Sequence, residues 1–314
     1  MIYRVFLVFL LSITVTFVNA TEVKVQQIME NMSQAMKTLD YQGTVAFFKN
    51  GRLDTMKYFH SCNNGNELER LLSLNSPMRE VIRESGKVRC VFKKTNETVV
   101  NDHPVSDSFI IDLPENFSSI QSVYSFKTLD EESVAMLPAH VISIEPKDQY
   151  RYKRKVWIDK VYFLPLKSEV YDLAGRTVEQ VVFTDIQVTN NHKVDKSEAK
   201  EKDLAILDYQ AELLAIEKAG IVLEKYPSNY HIVFFDQMNR DDLDKSVEHI
   251  LLSDGFSSVS VYVEAKAKDT KEGIQVLGSV KSITKIIGDF QVTVLGEVPV
   301  KAVQFIVQGI KLKK

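Results

Sequence analysis

The six histidines are the side chains best suited to bind a metal, and their spacing offers no ligand set. No HExxH pattern occurs, and no two of them stand at the separations that metal sites use. The sequence therefore predicts no metal site and no cofactor. His60 shares a strand face with Met56 and Tyr58, so we expect a buried core histidine. The six are His60, His103, His140, His192, His231 and His249.

Two carboxylates, Asp148 and Asp159, flank the strand that carries Trp157, the only tryptophan. Paired carboxyl groups can perform general acid–base catalysis. Both aspartates, however, stand beside turn signals at strand ends, where an Asp side chain usually hydrogen-bonds the turn backbone. Residues 255–259 do not match GxSxG, and no glycine-rich phosphate loop occurs. We therefore predict a binding protein, not an enzyme, with no catalytic residue.

An antiparallel meander is predicted around Trp157, because three strand patterns follow one another with a turn signal at residues 172–175. Side chains alternate along a strand, so Tyr152, Val156 and Ile158 should point to one apolar face and their neighbours to a wet face. The three strands are residues 150–159, 166–171 and 176–184.

The first twenty residues read as a cleavable signal peptide. Arg4 precedes an apolar run, and small residues precede Ala20. We expect cleavage after Ala20 and export of a soluble chain. A retained anchor is the alternative, but the run is shorter than the roughly 20 residues of a membrane span. The net charge of −3 argues against nucleic acid as a partner.

Only two cysteines occur, Cys62 and Cys90. In a simple meander they would lie three strand spacings apart, roughly 14 Å. A disulfide requires Cα atoms within roughly 7 Å. We therefore expect two thiols and no disulfide.

An amphipathic helix over residues 21–39 is predicted to lie on a sheet, since its apolar residues recur at helical spacing. Its methionines are compatible with an ordinary core-facing stripe or with a face that adapts to an irregular or changing surface. Five strands should follow, with Asn50-Gly51 as a hairpin turn. The apolar helix residues are Val25, Ile28, Met29, Met32, Met36 and Leu39, and the strands are residues 41–49, 54–62, 67–74, 78–83 and 87–92.

Residues 101–136 are less regular, and the strand pattern resumes at residues 141–144. About eight strands would then share one antiparallel sheet. A twisted sheet of that width tends to curl, and the helix over its apolar face would enclose either a packed core or a ligand-sized space.

Composition changes after Val188, because residues 190–203 are almost all polar or charged. We divide the chain into a large domain at residues 21–189, a charged linker at 190–218 and a small domain at 219–314. A short helix is expected within residues 204–218. In the small domain we expect an antiparallel sheet with an Asp254-Gly255 turn and a closing helix after Pro299. Its strands are residues 230–235, 247–252, 257–264 and 290–295, and Val303, Phe305, Ile306 and Ile310 should cover them.

Segments in both halves of the chain share a distinctive set of residues. In the first half they are residues 69–74, Pro77, 79–83, 146–152, 157–159, 164–169 and 179–180, and in the second half residues 252–255, 260–263 and 294–299. These segments resemble the RseB/MucB family, and the resemblance covers nearly the whole chain except the linker.

The resemblance implies a periplasmic regulator of sigma-E-type envelope stress signalling in a Gram-negative bacterium. Such a protein binds the periplasmic region of a transmembrane anti-sigma factor resembling RseA or MucA and shields it from site-1 proteolysis. Its large domain is similar to LolA and LolB, a mainly β half-barrel covered by helices, and would sense lipid, lipopolysaccharide acyl chains or mislocalised lipoprotein. A LolA-type lipid or lipoprotein carrier is the alternative, and homo-oligomer formation stays open.

Strand parity assigns twelve residues to the concave, lipid-binding face of the large domain. We further expect the partner to engage chiefly the small domain, and bound lipid to weaken that grip. The twelve are Tyr41, Val45, Phe47, Met56, Tyr58, Leu72, Ile142, Tyr152, Val156, Ile158, Leu166 and Val170.

Overall fold

The computed structural model describes most of the chain beyond the N-terminal segment. The predicted signal peptide lies almost wholly outside the described residues, as does the polar part of the linker, residues 190–203. Among the helices of the described ranges, none is long and apolar enough to cross a membrane. The ranges are residues 18–75, 79–84, 87–92, 97–101, 108–114, 116–189, 205–209, 216–240 and 245–313.

A twelve-stranded sheet forms the first part of the molecule. Its order is β12-β6-β5-β4-β3-β2-β1-β11-β10-β9-β8-β7, with every neighbouring pair antiparallel except β12 and β6. The elements are α1 Val18–Thr38, β1 Asp40–Lys49, β2 Arg52–Asn63, β3 Asn66–Ser73, β4 Arg79–Glu84, β5 Lys87–Phe92, β6 Glu97–Asn101, α2 Phe117–Ile120, β7 Tyr124–Val134, β8 Leu137–Pro146, β9 Lys153–Asp159, β10 Pro165–Tyr171, β11 Thr177–Thr189 and β12 Ala205–Tyr209.

Two-residue turns determine the register of the first hairpins. Asn50 and Gly51 have φ angles of 54° and 75°, and Asn64 and Gly65 have 51° and 81°. Positive φ at both central positions matches the right-handed twist of the flanking strands, and Asn-Gly tolerates it best. The predicted hairpin at Asn50-Gly51 is confirmed.

Helix α1 covers one face of this sheet, as its apolar spacing predicted. Val25, Met29 and Met32 are fully buried and belong to one apolar cluster with residues of β1, β2, β8 and β9. Truncating a buried Met to Ala typically costs about 2–5 kcal/mol, so this face contributes strongly to stability.

Two expectations about the large sheet were wrong. The sheet has twelve strands rather than about eight, and the long strand β7 lies in the segment expected to be irregular. Most of β7 is exposed on both faces, so it lacks the alternation that marks a half-buried strand. A short helix was expected within residues 204–218; the described part of that segment is the strand β12 and a 3-10 turn, Ile216–Lys218, and residues 210–215 lie outside the described residues.

The face opposite α1 is not uniformly wet. Trp157 and Leu166 are buried there in a second, smaller apolar cluster with Val134, Ala139 and Val141. The Lys167 ammonium lies 4.2 Å from the centre of the Trp157 ring and covers it.

The second part of the molecule is a six-stranded antiparallel sheet covered by a helix. Its order is β14-β15-β16-β19-β18-β17, and the closing helix after Pro299 is confirmed. Val303 and Ile306 are fully buried against the sheet, whereas Phe305 stacks on Tyr150 of the first part. The elements are β13 Ile221–Leu223, β14 His231–Arg240, β15 Lys245–Ser253, β16 Ser258–Ala265, β17 Gly273–Leu277, β18 Val280–Ile287, β19 Phe290–Gly296, α3 Val300–Gln308 and β20 Ile310–Leu312.

Candidate functional site

The apolar cluster between α1 and the large sheet contains most of the predicted ligand-facing residues. Phe47 is half-buried and packs at its margin. Seven of the twelve lie within the cluster: Tyr41, Val45, Met56, Tyr58, Ile142, Val156 and Ile158.

Two of the twelve lie on the other face. Leu72 stands opposite Lys57, while Leu71 stands opposite Tyr58 and takes the inward place. The Asn64-Gly65 turn sets this pairing, and a one-residue error in parity moves a side chain to the opposite face. Leu166 joins Trp157 because a register shift between Pro165 and Lys167 reverses parity at the start of β10.

Tyr152 and Val170 are buried but belong to neither cluster. Val170 stands opposite Arg154, two residues from Val156, so by register it shares the face of Val156.

A buried polar network crosses one end of the cluster, and sequence reasoning missed it. Tyr41 donates a hydrogen bond to the Tyr58 hydroxyl at 3.2 Å, and Tyr58 donates to Glu69 Oε1 at 2.8 Å. Arg83 Nε and Ser108 Oγ also donate to the Glu69 carboxylate, both at 3.0 Å. Burial, and then the charge of Glu69, raise the pKa of both tyrosines, so both remain protonated donors.

One signal could have revealed this network. Glu67 and Glu69 alternate with Leu68 immediately after the Asn64-Gly65 turn, and Leu71 continues their face. Counting from that turn places the carboxylate of Glu69 inside.

A cavity of about 160 Å³ opens beside this cluster, between α1, α2 and the start of β7. Met29 and aromatic rings contribute apolar parts of its lining, and amide groups and Lys147 contribute polar parts. Lys147 Nζ donates to the Gln121 carbonyl at 2.6 Å. The lining residues are Gln26, Met29, Phe117, Gln121, Tyr124, Ser125, Phe126 and Lys147.

Arg151 joins the two parts of the molecule through a fully buried ion pair. Its Nε donates to Asp254 Oδ2 at 2.5 Å, and its other nitrogens donate to Asp148 and to the Ser228 carbonyl. The guanidinium also lies 4.7 Å from the centre of the Tyr230 ring. A buried charge is tolerated only when it is paired and hydrogen-bonded, and these partners meet that condition.

A second junction places two carboxyl groups on one lysine. Lys49 on β1 forms ion pairs with Glu179 on β11, at 3.3 Å, and with Glu297, which follows β19 in the second part. Burial, followed by the hydrogen bond and the charge of Glu179, raises the pKa of Glu297 to about 7, although Lys49 opposes the shift. The junction therefore binds a proton near neutral pH. The Ser279 amide donates to Asn50 Oδ1 at 3.0 Å in the same region.

Asp148, Asp159 and His60, whose side chains could serve catalysis or metal binding, have structural roles. Asp159 accepts hydrogen bonds from the Val161 and Tyr162 amides, and Asp148 accepts one from the Tyr150 amide, so both stabilise turns as predicted. His60 is buried, with its Nδ1 2.7 Å from the Leu39 carbonyl and its ring stacked on Tyr41.

Two further observations concern the cysteines and the metal-binding side chains of the described residues. Cys62 and Cys90 do not form a disulfide. No group of three or more metal-binding side chains occurs in the part of the chain that the structure describes.

Comparison with known proteins covers both parts of the chain. The family model for the MucB/RseB N-terminal domain matches residues 24–203, and the model for the MucB/RseB C-terminal domain matches residues 216–311. The Sigma-E factor regulatory protein RseB of Haemophilus influenzae is 23% identical over 310 residues, which is 94% of this chain and 93% of that protein. The Sigma factor AlgU regulatory protein MucB of Pseudomonas aeruginosa is 24% identical over 294 residues, covering 90% and 89%.

A solved structure shares the fold. The crystal structure of MucB in complex with MucA(peri) superposes with a TM-score of 0.73 at 22% identity, covering 92% of this chain and 99% of that one. A second structure, of MucB alone, gives 0.68 at 21% identity.

Proposed function

The chain belongs to the MucB/RseB family, and from that premise we propose that it is a negative regulator of sigma-E-type signalling. It binds the periplasmic region of a transmembrane anti-sigma factor of the RseA or MucA kind and shields it from site-1 proteolysis. The observation that carries this proposal is the succession of both family domains over most of the chain. The related MucB, which has the same fold, was crystallised with MucA(peri).

The proposed place of action is the periplasm, after cleavage behind Ala20. The basic start and the apolar run up to residue 18 support export. We keep the division into residues 21–189, 190–218 and 219–314, and we propose no enzymatic reaction for any part.

Lipid sensing is the second half of the proposed function. The apolar cluster beneath α1 and the adjoining 160 Å³ cavity are the described features that suit acyl chains. Val45, Met56 and Val156, among the residues predicted from strand parity, line that cluster. A bound lipid is proposed to weaken the grip on the anti-sigma factor, and the coupling must be reciprocal.

Protease protection tests the regulatory proposal. The periplasmic segment of the anti-sigma factor from the same genome is incubated with the site-1 protease, with and without this protein. We expect the protein to bind the segment and to slow its cleavage. Cleavage at the unprotected rate in the presence of saturating protein would refute the proposal.

Strand β17 is the sheet edge that we propose for docking of an extended partner segment. Its sequence carries no charge, and Ile274, Val276 and Leu277 are exposed, with Val276 at 61%. Uncharged apolar edges readily add a further strand. Val276→Lys should therefore weaken partner binding at least tenfold while leaving stability unchanged. Val233→Lys, at an exposed position on the opposite edge strand β14, is the matched control, and equal losses in both variants would remove β17 as the site.

A LolA-type carrier is the second candidate, favoured by the helix-covered sheet alone. A carrier transfers an acylated cargo to an acceptor, whereas a regulator protects a peptide. Transfer of an acylated peptide to a second lipoprotein carrier, without protection of the anti-sigma segment, would favour this alternative.

A further inference from the structure

The turn between β15 and β16 inserts into the large domain. Asp254 Oδ1 accepts hydrogen bonds from the Phe256 and Ser257 amides at 3.0 and 2.9 Å, which shapes the turn. Gly255 has a φ of +92°, and a Cβ there would lie 2.4 Å from Pro114 Cα. Only glycine allows the turn to come this close to Pro114, so Gly255 lets the turn pack into the large domain.

The turn delivers Phe256 into the apolar cluster of the large domain. Phe256 is 1% exposed and, among the described residues of the small domain, is the one that belongs to this cluster. Its ring centre lies 5.4 Å from that of Tyr124, 6.4 Å from Phe126 and 6.5 Å from Phe117. These three rings also line the 160 Å³ cavity, so Phe256 and any molecule in the cavity share the same walls.

Tyr124 connects the cavity to the ion pair between the domains. Its hydroxyl donates to Asp254 Oδ2 at 2.9 Å, the same oxygen that Arg151 binds. A guest that moves the Tyr124 ring therefore disturbs both the packing of Phe256 and the hydrogen bonding of Asp254.

We propose that Phe256 is a removable plug, and that a single-chain amphiphile with an anionic head group competes with it and thereby releases the small domain. This inference rests on the lipid-sensing half of the proposed function. An apolar cavity of about 150 Å³ holds a molecule the size of benzene, so a longer chain needs the space that Phe256 occupies. Lys147 and the amides of Gln26 and Gln121 belong to the cavity lining and suit an anionic head group.

If Phe256 is a plug, removing its ring should raise the affinity for the ligand. If the cavity is competent only while Phe256 is withdrawn, the apparent Kd equals the intrinsic Kd divided by the competent fraction. Phe256→Ala makes every molecule competent, so its affinity should rise at least tenfold. A residue that merely lines the cavity would have the opposite effect, because its loss removes contacts with the ligand.

The experiment uses residues 21–314 and dodecanoate below its micelle concentration, with affinity measured by isothermal titration. We expect Phe256→Ala to bind at least tenfold more tightly than the unsubstituted chain, and Phe256→Leu to lie between them. Phe290→Ala, at a 41% exposed position of the second sheet, should leave affinity unchanged. Small-angle scattering should show that dodecanoate enlarges the unsubstituted chain, and that Phe256→Ala is enlarged without ligand.

Affinity in Phe256→Ala that equals or falls below that of the unsubstituted chain would overturn the inference. So would dodecanoate binding that leaves the scattering profile unchanged, or an absence of binding to both proteins. Phe256→Leu preserves an apolar side chain, so its intermediate affinity tests the plug even if the alanine variant unfolds. Protection of the anti-sigma segment, measured on the same preparations without dodecanoate, tests the regulatory proposal separately.

Discussion

At the scale of single residues, Arg151 contributes a fully buried ion pair to the junction between the domains. Arg151→Met should lower the free energy of unfolding by about 3–5 kcal/mol, because Asp254 would remain buried without its charge partner. Urea unfolding measures the loss. Arg176→Met makes the same change in an exposed ion pair with Asp172 and should cost less than about 1 kcal/mol. Equal losses in the two variants would contradict this account.

Glu297 makes the same junction sensitive to pH. The pKa of about 7 lies above its ordinary value of 4.5, so the fold favours the protonated form. Stability from this group is complete below about pH 4.5 and is lost as pH rises to about 7. Lys49, Glu179 and Tyr152 interact with Glu297, and Arg154 acts on Glu179.

The variant Glu297→Gln isolates this effect, since an amide mimics the protonated carboxyl group. Between pH 5 and 8 the unsubstituted chain should lose roughly 1–2 kcal/mol more than the variant, a figure reduced for the partly exposed side chain. Urea unfolding at both pH values measures the difference. Glu217→Gln, at an exposed position, should behave like the unsubstituted chain. A variant with unchanged pH dependence would exclude Glu297 as the group responsible.

At the scale of strands and helices, a substitution in β9 tests whether the space beneath α1 is a packed core or an open ligand chamber. Val156 is fully buried in the cluster beneath α1, so Val156→Asp should lower the free energy of unfolding by more than about 3 kcal/mol. Val161→Asp makes the same change at a 67% exposed position and should cost little. A folded Val156→Asp protein that has lost only acyl-chain binding would instead indicate a solvent-filled chamber.

Elements that carry local signals were predictable from the sequence. The Asn50-Gly51 and Asp254-Gly255 turns, the methionine face of α1 and the helix after Pro299 each depend on a few neighbouring residues. Strands β7 and β17 were not predictable, because edge strands exposed on both faces show no alternation.

The residues of the candidate site also fall into those that the sequence predicted and those that it did not. Strand parity located Tyr58 and Val156, but it failed at Leu166, where a bulge reverses the faces. The contacts of Phe256 and Asp254 with Tyr124 could not be predicted from the sequence. About 130 residues separate the partners, and only the docking of the two domains brings them together.

At the scale of the whole molecule, the large domain should depend on the small one. A fragment of residues 21–204 loses Phe256 from its core and the charge that Arg151 binds. From the structure we expect it to be less stable by several kcal/mol, on the order of a buried Phe truncation plus a broken buried ion pair.

Binding of a hydrophobic dye, together with urea unfolding, measures this dependence. The fragment should bind more dye than the full chain, because the apolar surface around Tyr124 and Phe126 becomes accessible. Adding the separate fragment 216–314 should reverse the effect. Equal stability of fragment and full chain would show that the large domain is self-sufficient.

The exchange of rings across the junction also determines how the molecule should melt. Phe256 completes the core of the first domain, and Tyr150 packs against the core of the second and stacks on Phe305. Neither core is complete without the other, so heat should disrupt both in a single cooperative step despite the two sheets. The calorimetric enthalpy should then equal the van't Hoff enthalpy, the behaviour of a small single-domain protein.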